Sequence, residues 1–184
     1  MFKSIVFICG MTVSVWAVNP SDLFQKESSN QEITLSSCLE RIEIKNTLTP
    51  EQLFQSSALC IQEEKYAQAV ELYLISTAYG YYDTQRVIDR NARSILETLK
   101  TKYFGGLEAT KRNAFAEALR TRLDDMRSIC GFLEKLGRPN YHPRYMLDDN
   151  IPLKTPQKPN NGLVPNYNEK ALWDDTRLVY LRCQ

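Results

Sequence analysis

The chain contains one histidine, His142, set between Tyr141 and Pro143. Nucleophilic catalysis of the familiar kind places a Ser, Thr or Cys beside a base, usually His. No Gly-x-Ser-x-Gly elbow or comparable signature accompanies His142, and a lone loop histidine reads as a structural hydrogen-bonding group. Three carboxylate pairs, Asp124-Asp125, Asp148-Asp149 and Asp174-Asp175, raise glycoside hydrolysis. Neighbours on a helix point about 100° apart, however, so adjacency does not oppose an acid and a base across a sugar. The pairs read as caps and surface ion-pair partners. Gly105-Gly106 lacks the Lys and the spacing of a phosphate loop. The sequence therefore assigns no catalytic residue and no cofactor.

Cysteine usage is more informative. Lys3 precedes an apolar run from Ile5 to Val15, and Val15 and Ala17 stand two apart, the small-residue spacing of a signal-peptide cleavage site. The reading is a signal peptide over residues 1–17, cleaved after Ala17, and a periplasmic destination. Cys9 leaves with that leader, and Cys38, Cys60, Cys130 and Cys183 remain. An even count in an exported chain points to two disulfides. None of the four lies in a Cys-x-x-Cys motif, and one histidine does not complete a zinc site with them, so no metal is expected. Three pairings exist. Cys38 with Cys60 is favoured because both fall on predicted neighbouring helices, leaving Cys130 to hold Cys183. That second bridge closes more than 50 residues and contributes roughly 3–4 kcal/mol by chain entropy.

Composition narrows the partner class. The 184 residues are 43% hydrophobic and 24% charged, ordinary for one soluble domain. Lys and Arg number 23 against 22 for Asp and Glu. Such a balance gives no excess positive field for nucleic acid. No apolar run reaches the roughly 18 residues of a membrane span.

The elements that must carry these residues read as an all-α domain of antiparallel helical hairpins over residues 18–136, followed by a Pro-rich extension over residues 137–184. A first helix is predicted from Ile33 to Ile44, with Leu35, Cys38, Leu39 and Ile42 on one stripe. Thr49-Pro50-Glu51-Gln52 supplies a capping box and a proline at the first helical position of the second. A third runs from Tyr66 to Tyr79 and stops at Gly80. Asp83 caps a fourth, with Val87, Ile88, Ile95, Leu96 and Leu99 inward, which ends before Gly105-Gly106. A long fifth spans Leu107 to Leu136, bent at Gly131. Beyond Gly137, six prolines by Pro165 exclude long helices. Near the C-terminus, a strand over Arg177–Arg182 and a helix over Asn168–Tyr180 fit the pattern equally.

Two clusters combine aromatic and charged residues as protein interfaces do. Tyr79, Tyr81, Tyr82 and Asp83 form one, and Tyr141, His142, Arg144, Tyr145, Asp148 and Asp149 the other. The same tyrosines suit a second role, packing the tail onto the helices.

Leu53, Ser57, Cys60, Tyr66, Ala69, Tyr73 and Gly80 give the segment Leu53 to Gly80 a likeness to one tetratricopeptide unit or its longer Sel-type relative. Small residues in that pattern let two helices approach closely, and aromatics fill the gap to the next pair. Together with the export signal, Tyr141-His142-Pro143-Arg144-Tyr145-Met146 and the Trp173 to Cys183 stretch, the chain resembles periplasmic immunity proteins that neutralise effectors of contact-dependent or type VI secretion. The resemblance implies a non-enzyme that occludes a cognate lipase or peptidoglycan hydrolase, with Asp148-Asp149 and the flanking Tyr and Arg side chains at the cleft. A cell-envelope scaffold and a small secreted hydrolase using His142 are the alternatives. A homodimer stays open.

Overall fold

The computed structural model describes residues 35–147 and 159–183. The leader and Ala17, Ile33 at the start of the first predicted helix, and Asp148 and Asp149 lie outside the described residues. The described residues fall in one compact unit. It is mostly helical, with an isolated antiparallel bridge between Val87 and Leu163 as the sole β pairing among the described residues. No helix among the described residues is long and apolar enough to cross a membrane.

Helix α1 is Pro50–Gln62, α2 Tyr66–Arg86, α3 Arg93–Phe104, α4 Ala109–Asp124, α5 Arg127–Leu136 and α6 Glu169–Asp175. The start of α1 follows the sequence. The Thr49 hydroxyl accepts from the Gln52 amide at 3.3 Å, and the Gln52 side chain accepts from the Thr49 amide at 2.9 Å. A short turn with Glu64 in the left-handed region (φ 61°) leads into α2. Two serine hydroxyls then tie the pair: Ser57 donates to Ala69 O at 2.7 Å and Ser76 to Pro50 O at 2.6 Å. Those contacts make α1 and α2 antiparallel and close enough for small side chains to bridge them.

α2 is the organising element and packs against α1, α3, α4, α5 and α6. It continues through Gly80 to Arg86, beyond the predicted stop. Gly80 is required for close approach: a Cβ there would stand 2.3 Å from Leu96 Cδ2 on α3. Asp83 likewise caps nothing and is fully buried inside α2. Phe54, Tyr73, Phe104 and Phe115 meet between α1, α2, α3 and α4 with ring centroids 5.4–5.8 Å apart, offset or edge-on geometries that aromatic pairs favour.

Three predicted helices take a different form. Residues 35–48 make a strap with a single 3₁₀ turn at Arg41–Glu43. Its backbone finds partners outside itself: Leu39 N donates to Ser56 Oγ at 2.8 Å, Ser56 Oγ donates to Ser37 O at 3.1 Å, and Gln68 Nε2 donates to Leu39 O. Side chains of α1 and α2 thus replace helical hydrogen bonds, and Ile42 is left exposed. The fourth helix begins only at Arg93, because Ile88 N donates to Gly162 O at 3.0 Å and Val164 N to Arg86 O at 2.8 Å. The fifth is broken at Asp125-Met126 and not at Gly131. Asp125 leaves the helical region and its carboxylate accepts from the Arg127 amide at 3.1 Å and the Arg127 guanidinium at 2.9 and 2.7 Å, just before α5 begins. At the C-terminus α6 passes into a π-helical turn over Thr176–Tyr180, so the helical alternative holds there.

Both favoured disulfides are present. Cys38–Cys60 pins the strap to α1, and Cys130–Cys183 pins the chain's end to α5.

Candidate functional site

Asp83 collects the polar groups of the two aromatic clusters. Its helical register, one turn before Arg86, brings Arg86 Nε and Nη2 to Oδ1 at 2.8 and 2.7 Å. Oδ2 accepts from Tyr141 Oη at 2.8 Å and Tyr145 Oη at 2.6 Å. Arg86 Nη2 also donates to Tyr141 O at 2.8 Å, and the guanidinium carbon stands 5.1 Å from the centre of the Tyr82 ring and 5.5 Å from that of Tyr141. Burial pushes the Asp83 carboxyl above the ordinary carboxylate range, against the opposing pull of the Arg86 charge and of the hydrogen bonds from Tyr145, Tyr141 and Arg86. Burial likewise holds the Tyr141 and Tyr145 phenols protonated to well above their usual range, and the Asp83 charge adds to it. A buried charge pair whose carboxylate accepts from one guanidinium and two phenols is a structural centre. Here it fastens residues 141–147 to α2.

Tyr79 and Tyr82 belong to the same wall. Tyr79 donates to Gly137 O at 3.0 Å, and both rings stand edge-on to Trp173 of α6 at 5.8 and 5.9 Å. With Asp83, they are fully buried and offer no surface to a second protein: their chemistry is spent inside the chain. Tyr81, at the edge of that wall, is half-buried. It donates to Asp175 Oδ2 at 3.0 Å and stacks on Tyr180 at 4.2 Å.

The outward members of the second cluster are His142 and Arg144. Partial burial and the nearby Arg86 and Arg144 charges push the His142 imidazole below its usual value, while a hydrogen bond with the Asn161 backbone works the other way. Asp83, the carboxylate that influences it, is held by Arg86, Tyr141 and Tyr145. Three carboxylates of the sequence's acidic pairs are likewise engaged within the chain: Asp125 accepts from Arg127, Asp174 pairs with Lys170 and with Arg177 at 3.3 Å, and Asp175 accepts from Tyr81. Among the described residues no group of three His, Cys, Asp or Glu stands ready to hold a metal.

Sequence reasoning missed a surface. A cleft of about 960 Å³ opens over Tyr73, Leu74 and Thr77 of α2, between Leu123 at the end of α4 and Tyr180 in the π-turn. Leu178, Val179 and Tyr180 beside it are exposed, as is Leu123 across it. The sequence reads Leu172, Trp173, Leu178, Val179, Tyr180 and Leu181 as apolar surface that docks back onto the helices; Trp173 and Leu181 are buried so, and Leu178, Val179 and Tyr180 are not.

No family model matches the chain, and neither the curated proteins nor the solved structures give a match.

Proposed function

We propose that this chain is a periplasmic immunity protein that binds a cognate secreted antibacterial effector, a lipase or peptidoglycan hydrolase, and covers its catalytic cleft. The observation carrying this reading is the way the non-helical parts are fastened. A disulfide anchors the strap, another anchors the C-terminal end, and the Asp83 centre anchors residues 141–147. Irregular backbone fixed in one conformation loses little entropy on association, which favours tight recognition. Disulfides suit an oxidising compartment, and thereby support the export expected from the leader.

The antiparallel α1–α2 pair, with Ser57 and Ser76 at its contact, supports the tetratricopeptide or Sel-like reading of that hairpin. His142, Arg144 and Tyr81 retain accessible surface and stay in the proposed contact set, as do Asp148 and Asp149. The proposed action is steric and needs no catalytic group.

The test is purification of the chain without residues 1–17 together with the product of the adjacent reading frame. Co-elution, and survival of cells that carry both against death of cells carrying the neighbour alone, are the expected results. Absence of both removes the reading. Co-elution without protection replaces it with the envelope-scaffold alternative.

A further inference from the structure

Three large apolar side chains stand outward in one turn of the chain: Leu178 is 54% exposed, Val179 66% and Tyr180 42%. The backbone beneath them is nonetheless fixed. Leu181 N donates to Thr176 O at 3.1 Å and Cys183 N to Arg177 O at 2.8 Å. The Tyr180 ring lies on Tyr81, and Cys183 is bonded to Cys130. A π-turn inserts one extra residue into a helical repeat and recurs at functional sites. In this one, Leu181 is buried while the three residues before it are presented to solvent. Leu123, 55% exposed on the facing rim of the cleft, extends the apolar surface.

The charges around this surface say what kind of group would cover it. Arg182 is exposed and makes no ion pair among the described residues, whereas Arg177 is already paired with Asp174. Arg182 flanks the apolar turn, so a covering group bearing a carboxylate is matched to it. The cleft is lined by both signs, Asp124 and Asp125 with Lys100, Arg127 and Arg182, and an anionic lipid surface would press phosphates against the two carboxylates. A protein surface with separated charges meets both rims.

We propose that the Leu178–Tyr180 turn, with Leu123, is the principal contact surface for the protein partner, and that the partner offers an apolar pocket with a carboxylate at its edge against Arg182. This rests on the protein-binding reading above and deepens it. Tyr180 within a preordered apolar patch and Arg182 at its edge are residue types enriched among those that dominate binding energy. An apolar pocket also favours a partner that acts on acyl chains over one that acts on glycans.

The experiment measures binding of the chain without residues 1–17 to the adjacent frame's product by calorimetry, for the wild type and for Val179→Asp, Arg182→Glu and Ile42→Asp. All three side chains point outward, so circular dichroism melts should match the wild type. The proposal expects Val179→Asp to weaken binding about 30-fold or more. It expects Arg182→Glu to weaken binding about 10-fold with a flatter salt dependence, and Ile42→Asp to leave it unchanged. Wild-type affinity in Val179→Asp overturns this proposal and leaves the immunity reading standing. No complex with the wild type overturns both. A dimer of this chain, or binding to phosphatidylglycerol vesicles, that Val179→Asp abolishes while partner binding persists would reassign the surface and overturn it as well.

Discussion

Asp83 and Arg86, three residues apart on α2, form an ion pair sealed inside the protein, and the same carboxylate receives the phenols of Tyr141 and Tyr145 from the extension. The helix therefore supplies one charge pair and the extension closes over it. Removing one partner strands the other in a buried site. Asp83→Ala should cost about 3–5 kcal/mol, and Arg86→Met a similar amount. The double variant Asp83→Leu/Arg86→Met should cost clearly less than the sum of the two singles. Urea unfolding of the three variants checks this. Additive costs would show that the two residues act independently.

Alkaline stability follows from the buried phenols. Burial pushes Tyr82 up to about 12, although the Arg86 charge lowers it, and pushes Tyr79 higher still. Tyrosines of the unfolded chain ionise near 10. Between those values the folded state holds more protons than the unfolded one, so stability is complete below about pH 10 and falls as pH rises through 12. Absorbance at 295 nm and circular dichroism, followed together, should show the last tyrosinates appearing as the helical signal is lost. Full ionisation with the helical signal intact would contradict the burial of these rings.

The two disulfides should open in a fixed order. Cys60 is fully buried and Cys38 nearly so, whereas Cys130 is partly exposed and lines the cleft, although its partner Cys183 is buried. Thiolate attack needs access, so limiting dithiothreitol should expose Cys130 and Cys183 to alkylation first. By chain entropy that bridge closes the longer loop and contributes about 4 kcal/mol, against about 3 for Cys38–Cys60. Peptide mapping after brief alkylation decides the order, and earlier labelling of Cys38 and Cys60 would refute it.

The capping box at Thr49 gives a smaller, local effect. Thr49→Ala removes the hydroxyl that accepts from the Gln52 amide and should cost about 1 kcal/mol. The thermal midpoint should drop by about 2–4 °C, and Thr49→Ser should restore most of it. An unchanged midpoint in Thr49→Ala would mean the cap is idle.

Much of this fold is written locally. The start of α1, the α1–α2 hairpin, the break at Gly105-Gly106 and the end of α5 at Gly137 follow from caps, proline, glycine and apolar spacing, because each depends on residues a few positions apart. The favoured disulfide pairing holds, although the reason given for it, two neighbouring helices, does not, since Cys38 lies on the strap. The candidate site was legible as a set of residue types and illegible as a surface. Tyr79, Tyr82 and Asp83 have the composition of an interface and the location of a core, because α6 and residues 141–147 cover them.

What the sequence by itself determined is a helical, cysteine-bridged body of mixed charge, with a proline-rich tail whose apolar residues require a docking place. Tertiary structure alone decided three further matters. It drew α2 through Gly80 to Arg86, with Leu96 of α3 packed against the glycine and Asp83 and Arg86 buried in the added turn. It turned the predicted first helix into a strap, because Ser56 and Gln68 offered its backbone better partners than it had within itself. It also left Leu178, Val179 and Tyr180 outside by winding the last turn as a π-helix. Each outcome was set by contacts between residues distant in sequence, and no periodicity in the chain encodes such contacts.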